Sequence, residues 1–335
     1  ANLVVLGAPG TGKTSLALHL LVDAVASGRD ALLLAPTRAR ADMLRRRSAR
    51  LLGEAGVRDG AVRVRTPAGY ALTVLRTSLT RRPDPLPAPV LLAGAEEDAA
   101  LAALIVPEQW PGLPASAVAS RAFRTELRNL LARAGELGLS ADDLAELGRV
   151  LSVPVWGPAS ALLRIWDAQG RPSAERRSQT RRMDAARLQD RAVEALGSWE
   201  ADRVAERRPV PDLVVVDDYQ DCTAATARLL AALAMPDADG HRAQAVVLGD
   251  PDVAVETFRG GAPSLLVEAE DRSGLNASRL LLRTAHRGTR ALDAVWWDQA
   301  GRLPVTGSAA HRRPVRPAPS RGARPPGAGG GGVGK

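Results

Sequence analysis

The chain has 335 residues, of which 45% are hydrophobic and 3% aromatic, so it can bury a large core built mainly from Ala, Leu and Val. The formal net charge of +8 favours an acidic partner such as nucleic acid, although most of the excess falls in residues 302–335. No apolar run approaches the ~18 residues of a membrane helix and no signal peptide is visible, which argues against a membrane partner and predicts a cytoplasmic protein. The single cysteine, Cys222, excludes an internal disulfide and fits a reducing compartment.

The first predicted elements are a buried strand, a glycine-rich turn and a helix. The strand covers residues 3–6, and the helical pattern begins near Ser15. The turn between them matches the P-loop consensus G-x-x-x-x-G-K-S/T, and it consists of Gly7, Ala8, Pro9, Gly10, Thr11, Gly12, Lys13 and Thr14. In such a loop the backbone N–H groups hold phosphates, the lysine reaches the β- and γ-phosphates, and the hydroxyl binds Mg²⁺. The sequence therefore predicts a phosphate site over residues 7–15, with Thr14 as a metal ligand.

A chance glycine turn is the alternative, and the composition argues against it. Lysine and arginine together number 45, yet the only lysines are Lys13 and Lys335. A chain that uses arginine almost everywhere keeps a lysine where a slim, flexible charge has to fit between phosphates. The position of Lys13 therefore favours the P-loop interpretation.

Strands and helices alternate to about residue 80, the pattern then becomes helical, and alternation returns near residue 213. Strands are predicted at residues 31–35, 62–66, 213–216, 245–248 and 279–282. Helices are predicted at residues 39–52, 70–79, 96–106, 121–134, 141–150, 188–199 and 223–235, with a last one ending near residue 297.

The long interval between the third and fourth strands predicts an insertion. We expect an α/β domain with a parallel sheet, formed by residues 1–80 and 209–301, and an all-helical domain of residues 81–208 inserted into it. Residues 302–335 are rich in Pro, Gly and Arg, and they are predicted to be disordered.

Two acids follow the fourth predicted strand, which is typical of a Walker B motif. Asp217 at the strand end is predicted to hold Mg²⁺ through water, and Asp218 stands where a base orients the attacking water. Paired acids on a surface turn are the alternative. Because these acids follow a buried strand in a chain that also has a P-loop, the functional interpretation is favoured.

Several segments resemble, in order, the motifs of superfamily 1 helicases of the UvrD/PcrA/RecB type. Residues 217–221 read Asp-Asp-Tyr-Gln-Asp and resemble motif II, D-E-Y/F-Q-D. The other segments are residues 35–38 (motif Ia), 65–70 (the T-F-H-S-F region), 249–252 with 258–261 (motif III) and 282–288 (motif IV). The resemblance covers about residues 1–300. The Arg- and Ala-rich composition is similar to that of actinobacterial AdnAB helicase–nuclease motor subunits.

The resemblance implies a fold and a catalytic site. The α/β domain would be the RecA-like ATP-binding domain 1A, and the insertion would be the helical domain 1B. ATP and Mg²⁺ would be the cofactors, with Asp217 as the metal ligand. Gln220 would couple the γ-phosphate to movement, and Arg287 would contact the γ-phosphate.

The resemblance also implies partners. Single-stranded or duplex DNA would be bound, and the strand would be faced by Thr37, Arg38, Thr66 and Tyr70. A solvated helix end and a core ring are the alternatives for Arg38 and Tyr70. The activity would be that of an ATP-dependent 3′–5′ DNA helicase in repair or recombination, with a second helicase–nuclease subunit as a further partner.

The sequence departs from the family pattern in ways that weaken the expectation of activity. Asp218 replaces the usual Glu, Val253 the motif III Gln, and Glu256 the motif III Tyr. Misplacing a catalytic group by about 1 Å costs on the order of 100-fold in rate. Motifs V and VI are not found in this sequence, so the chain alone is expected to be an incomplete motor. A catalytically degenerate structural or regulatory subunit is therefore the alternative function, whereas motifs II and III disfavour another P-loop ATPase or kinase.

Overall fold

The computed structural model describes residues 1–57, 63–92, 94–169, 180–257 and 260–316. The strands are β1 (Leu3–Gly7), β2 (Ala31–Leu34), β3 (Arg63–Arg65), β4 (Val90–Leu91), β5 (Arg182–Met183), β6 (Leu213–Val216), β7 (Gln244–Gly249) and β8 (Ser278–Leu282). The α-helices are α1 (Lys13–Ala26), α2 (Arg38–Glu54), α3 (Pro67–Thr80), α4 (Ala95–Ala102), α5 (Ala115–Val118), α6 (Arg121–Leu137), α7 (Ala141–Val150), α8 (Trp156–Gln169), α9 (Ala185–Gly197), α10 (Ala224–Ala234), α11 (Leu265–Glu268) and α12 (Arg290–Arg302). Within these ranges no helix is long and apolar enough to cross a membrane. The predicted motif III residues 258 and 259 and the tail residues 317–335 lie outside the described residues.

Six strands form a parallel sheet in the order β3-β2-β6-β7-β1-β8. The four strands β1, β2, β6 and β7 are almost continuously apolar and buried, as expected for strands that helices cover on both faces. The predicted α/β fold with a parallel sheet is therefore confirmed. Because all six strands run in one direction, the loops that follow them lie at the same edge of the sheet.

Successive residues of each strand face opposite layers of helices. Val4 belongs to a core shared with α3, α9 and α10, whereas its neighbour Val5 belongs to a core shared with α1 and α2. This alternation is the period of two that a strand imposes on its side chains. Since β1 pairs with β7 on one side and β8 on the other, the loop after β1 is flanked by the loops after those two strands.

The inserted segment has a hydrophobic core of its own, drawn from residues between Leu92 and Trp166. The expectation that it is all helical is wrong, because β4 and β5 pair as a small parallel sheet. Helix α9 lies within the predicted insertion, yet its apolar stripe packs into the core of the main sheet through Leu188, Ala192 and Leu196. The division of the chain at residues 81 and 208 stays a prediction.

The tail expectation is wrong for residues 303–316, which we call the C-terminal strap. His311 and Arg312 are buried, and the Arg312 guanidinium contacts both carboxylate oxygens of Asp252, at 2.7 and 2.8 Å. His311 Nε2 lies 3.0 Å from Asp252 and 3.3 Å from Asp250, two acids that follow β7. Composition predicted that this stretch could not build a core, but buried carboxylates stabilise it by ion pairing instead.

His311 makes the stability of this contact depend on pH. Burial opposes protonation of the imidazole, but the hydrogen bonds and charges of Asp250 and Asp252 outweigh it and raise the pKa of His311. The other charges that face these acids are Arg312 and Lys13, the latter 4.0 Å from Asp250. A raised histidine pKa contributes stability that is complete below the unfolded-state pKa of about 6.5 and is lost as the pH rises through the folded-state pKa.

We expect the substitution His311→Gln to remove this pH dependence. The free energy of unfolding, measured by urea titration at about pH 6 and about pH 9, should fall more for the wild type than for the variant. Comparing the variant with the wild type isolates the contribution of His311 from that of Asp217, whose raised pKa also lowers stability as the pH rises. His19→Gln, an exposed histidine on α1, should follow the wild type. Equal losses in His311→Gln and the wild type would contradict the assignment.

Candidate nucleotide-binding site

The P-loop connects β1 to α1, and its glycines adopt the backbone that the motif requires. Gly10 and Gly12 have φ angles of 83° and 93°, in the left-handed region that residues with side chains rarely enter. Lys13 is the first residue of α1. The N–H groups of a first helical turn have no partner within the helix, so the loop presents a positive dipole end and free donors to an anion.

Lys13 folds back over the loop that carries it. Its Nζ donates to the carbonyl oxygens of Gly7 at 2.5 Å and Ala8 at 3.1 Å, and it lies 4.0 Å from Asp250. Burial lowers the pKa of Lys13, and the nearby carboxylates oppose this effect. The result is a largely buried cation held by exchangeable carbonyl contacts beside the glycine turn.

Asp217 is fully buried at the end of β6 and faces the start of α1. The Thr14 hydroxyl donates to its Oδ2 at 2.9 Å. Burial and the charge of Asp218 raise the pKa of Asp217 to about 6, whereas Arg40 and the Thr14 hydroxyl hold it down. A hydroxyl and a carboxylate are hard oxygen ligands of the kind that Mg²⁺ prefers. The pair therefore fits the predicted metal site.

Arg40 lies among these groups, although no motif in the sequence points to it. Its Nη2 donates to Thr14 Oγ1 at 3.1 Å and to Asp217 Oδ2 at 3.2 Å, and its Nε lies 2.7 Å from Asp218 Oδ2. Asp218 itself has a left-handed backbone with φ of 55°. The available signal was the place of Arg40 in the first turn of the helix after β2, but only the pairing of β2 with β6 brings that turn to the Walker B acids.

Gln220 joins the loop after β6 to the loop after β7. Its side chain is buried, its Oε1 accepts from the N–H of Asp250 at 3.1 Å, and its Nε2 donates to Asp221 at 3.3 Å. Asp221 in turn accepts from the backbone N–H groups of Val255 and Glu256. Motif II thus holds the motif III loop in place, and the coupling role expected of Gln220 stays a prediction.

Arg287 lies beside the P-loop, in the loop that follows β8. The backbone N–H of His286 donates to Gly10 O at 2.9 Å, and a Cβ placed on Gly10 would lie 3.4 Å from Arg287 O. The Arg287 side chain is exposed, and its charge acts to lower the pKa of Lys13. Arg316 of the C-terminal strap donates to Arg287 O at 3.1 Å. The strand order therefore brings the loop that contains Arg287 next to the P-loop, which leads into Lys13.

Three of the four residues expected at DNA line a cavity of about 330 Å³ beside the nucleotide site: Thr37, Arg38 and Thr66. They follow β2 and β3, and the two threonine hydroxyls cap α2 and α3 by accepting from Arg40 N and Gly69 N, each at 3.2 Å. The same cavity is also bordered by acids. We call it the β2–β3 groove.

The expectation that Tyr70 faces DNA is wrong. Its ring is 2% exposed and packs with Val74 and Leu188 in the core, and its hydroxyl donates to Pro209 O. Tyr70 is a core residue, which was the alternative interpretation of this position. The physical reason is that Tyr70 falls on the face of α3 that packs against α9.

A sequence model of the UvrD/REP helicase N-terminal domain matches residues 1–273. The chain belongs to the UvrD/REP helicase family. No curated protein matches the chain significantly. The solved structure of VirB4 of Thermoanaerobacter pseudethanolicus is similar at 14% identity, covers 88% of this chain and 79% of that chain, and has a TM-score of 0.28, too low to support an argument.

Membership of the UvrD/REP family confirms the resemblance to superfamily 1 helicases and the RecA-like α/β fold. It supports an ATP-binding helicase lobe. The AdnAB subtype stays a prediction.

Proposed function

We propose that this chain is the ATP-binding lobe of a 3′–5′ DNA helicase that acts in DNA repair or recombination and binds Mg-ATP and single-stranded DNA. The observation that carries the proposal is the convergence, at one edge of the sheet, of the P-loop with Asp217, Asp250 and Arg287. Step direction, the repair role, a cytoplasmic location and a second helicase–nuclease subunit belong to the same proposal and rest on the resemblance of the motifs.

The residues of the nucleotide site have distinct proposed roles. Lys13 would exchange the carbonyls of Gly7 and Ala8 for β- and γ-phosphate oxygens. Thr14 and Asp217 would hold Mg²⁺, which when bound spreads the negative charge of the phosphates. Asp218 would orient the attacking water. Arg287 would stabilise charge on the γ-phosphate as the bond to it breaks.

The single strand is proposed to cross the β2–β3 groove. Arg38 is exposed there and supplies a positive charge for a phosphate. The N-termini of α2 and α3 border the groove, and their positive dipole ends favour an anion. Buried Tyr70 takes no part in the proposed path.

Replacing Lys13 tests the nucleotide site. We expect Lys13→Ala to weaken binding of a fluorescent ATP analogue with Mg²⁺ by at least about tenfold, because a charge-assisted hydrogen bond contributes ~1.5–3 kcal/mol. Arg47→Ala, an exposed arginine on α2, is the control and should bind like the wild type. Wild-type affinity in a folded Lys13→Ala variant would overturn the proposed site.

Replacing Arg38 tests the groove. Arg38→Ala should weaken binding of a single-stranded oligonucleotide and reduce the slope of log affinity against log salt by about 0.7, the share of one phosphate contact. Tyr70→Phe should leave the slope unchanged and lower stability by about 1 kcal/mol through the lost hydroxyl bond. If Arg38→Ala leaves this slope unchanged, Arg38 does not contact the DNA, and the proposed path through the groove is wrong.

A catalytically degenerate regulatory subunit is the second candidate, and Asp218 favours it. Its carboxylate is one methylene shorter than the Glu of the family pattern, and it is paired with Arg40 at 2.7 Å.

We expect Asp218→Glu to raise DNA-stimulated ATP hydrolysis on the order of 100-fold if the shorter side chain is what limits the site. Phosphate release measured with and without single-stranded DNA gives the answer, and Asp239→Glu, an exposed acid, is the control. Strong DNA-stimulated hydrolysis by the wild type would rule out the degenerate candidate.

A further inference from the structure

We propose that Arg40 competes with the divalent cation for Thr14, Asp217 and Asp218, so that Mg-nucleotide binding requires the guanidinium to leave. This inference deepens the proposed function and rests on it. Arg40 is a positioning residue in this scheme, because it acts on the metal ligands and not on the substrate. It gives the first turn of α2 a direct link to occupancy of the nucleotide site.

The first observation is that Arg40 uses the atoms that would bind the cation. Thr14 Oγ1 and Asp217 Oδ2 both accept from its Nη2, at 3.1 and 3.2 Å. A divalent cation bound to these two oxygens would lie within contact distance of the guanidinium, and the two positive charges would repel each other. Binding of the cation therefore opposes the contacts of Arg40.

The second observation is that Arg40 supplies countercharge for two adjacent acids. Asp217 is fully buried, Asp218 is partly exposed, and the guanidinium contacts both. The nearest lysine, Lys13, is paired with Asp250 at 4.0 Å. A divalent cation in place of Arg40 would bring two positive charges to these two carboxylates, where the guanidinium supplies one.

The third observation is that Arg40 is held in a way that permits release. Its side chain is 33% exposed, so it has a path to solvent. Its Nε faces Asp218 as an ion pair, but the atom is buried and makes no hydrogen bond of good geometry. A pair with imperfect geometry and solvent access is weak compared with a fully buried one.

The fourth observation connects this exchange to the β2–β3 groove. The Thr37 hydroxyl caps α2 by accepting from the backbone N–H of Arg40, and Thr37 and Arg38 line the groove. The backbone of Arg40 therefore belongs to the helix turn that is proposed to contact DNA. By linkage, a ligand in the groove that favours the displaced arginine would strengthen cation binding by the same factor.

The test compares wild type, Arg40→Ala, Arg40→Lys and the surface control Arg47→Ala. The first readout is the Mg²⁺ concentration that gives half-maximal binding of a fluorescent ATP analogue, at about pH 8, where carboxylates are ionised. We expect Arg40→Ala to lower this concentration about fivefold, the ratio that corresponds to one partly exposed ion pair. Arg40→Lys should be intermediate, and Arg47→Ala should match the wild type.

The second readout is the thermal midpoint as a function of Mg²⁺ alone, which does not need a nucleotide. Arg40→Ala should be stabilised at a lower Mg²⁺ concentration than the wild type. An unchanged or higher requirement in both Arg40 variants would overturn the proposal, and Arg40→Lys keeps the test decisive if Arg40→Ala does not fold. If the wild type binds no nucleotide, the proposed function fails, while the Mg²⁺ titration still decides the role of Arg40.

Discussion

The parallel arrangement of the sheet is the constraint on which the rest of the structure depends. Because all six strands run in one direction, every loop that leaves a strand end meets the others at one edge. The order of the strands then decides which loops are neighbours. β1 lies between β7 and β8, so Lys13 meets Asp250 and the P-loop meets Arg287.

Several carboxylates lie close together at one edge of the sheet, where their negative charges repel one another. Arginine and histidine side chains supply the compensating positive charge. Asp217 is fully buried, which is costly for a charged group without a partner. Arg40 reaches it from α2, and Arg312 reaches Asp252 from the C-terminal strap. The arginine-rich composition is therefore used inside the fold as well as on its surface, and the same ion pairs tie the helix after β2 and the strap to the nucleotide site.

Much of the fold was predictable because its signals are local. Central strands that are covered on both faces appear in the sequence as short apolar runs. The capping residues and glycines that end a helix lie directly beside it in the sequence. The two-stranded sheet of β4 and β5 was not predictable, since each strand is two residues long and its partner lies far along the chain. The strap was missed because ion pairs, and not apolar side chains, hold His311 and Arg312.

The sequence by itself determined the phosphate-binding turn, since glycines, a lysine and a threonine at fixed spacing specify a backbone shape and a charge within a few residues. It also determined that Asp217 follows a buried strand. Only the tertiary structure decided what surrounds that acid, because Arg40 lies 177 residues away and reaches it through the pairing of β2 with β6. The same physical reason placed Tyr70 in the core: side-chain exposure depends on which helix packs against which, and α9 covers it.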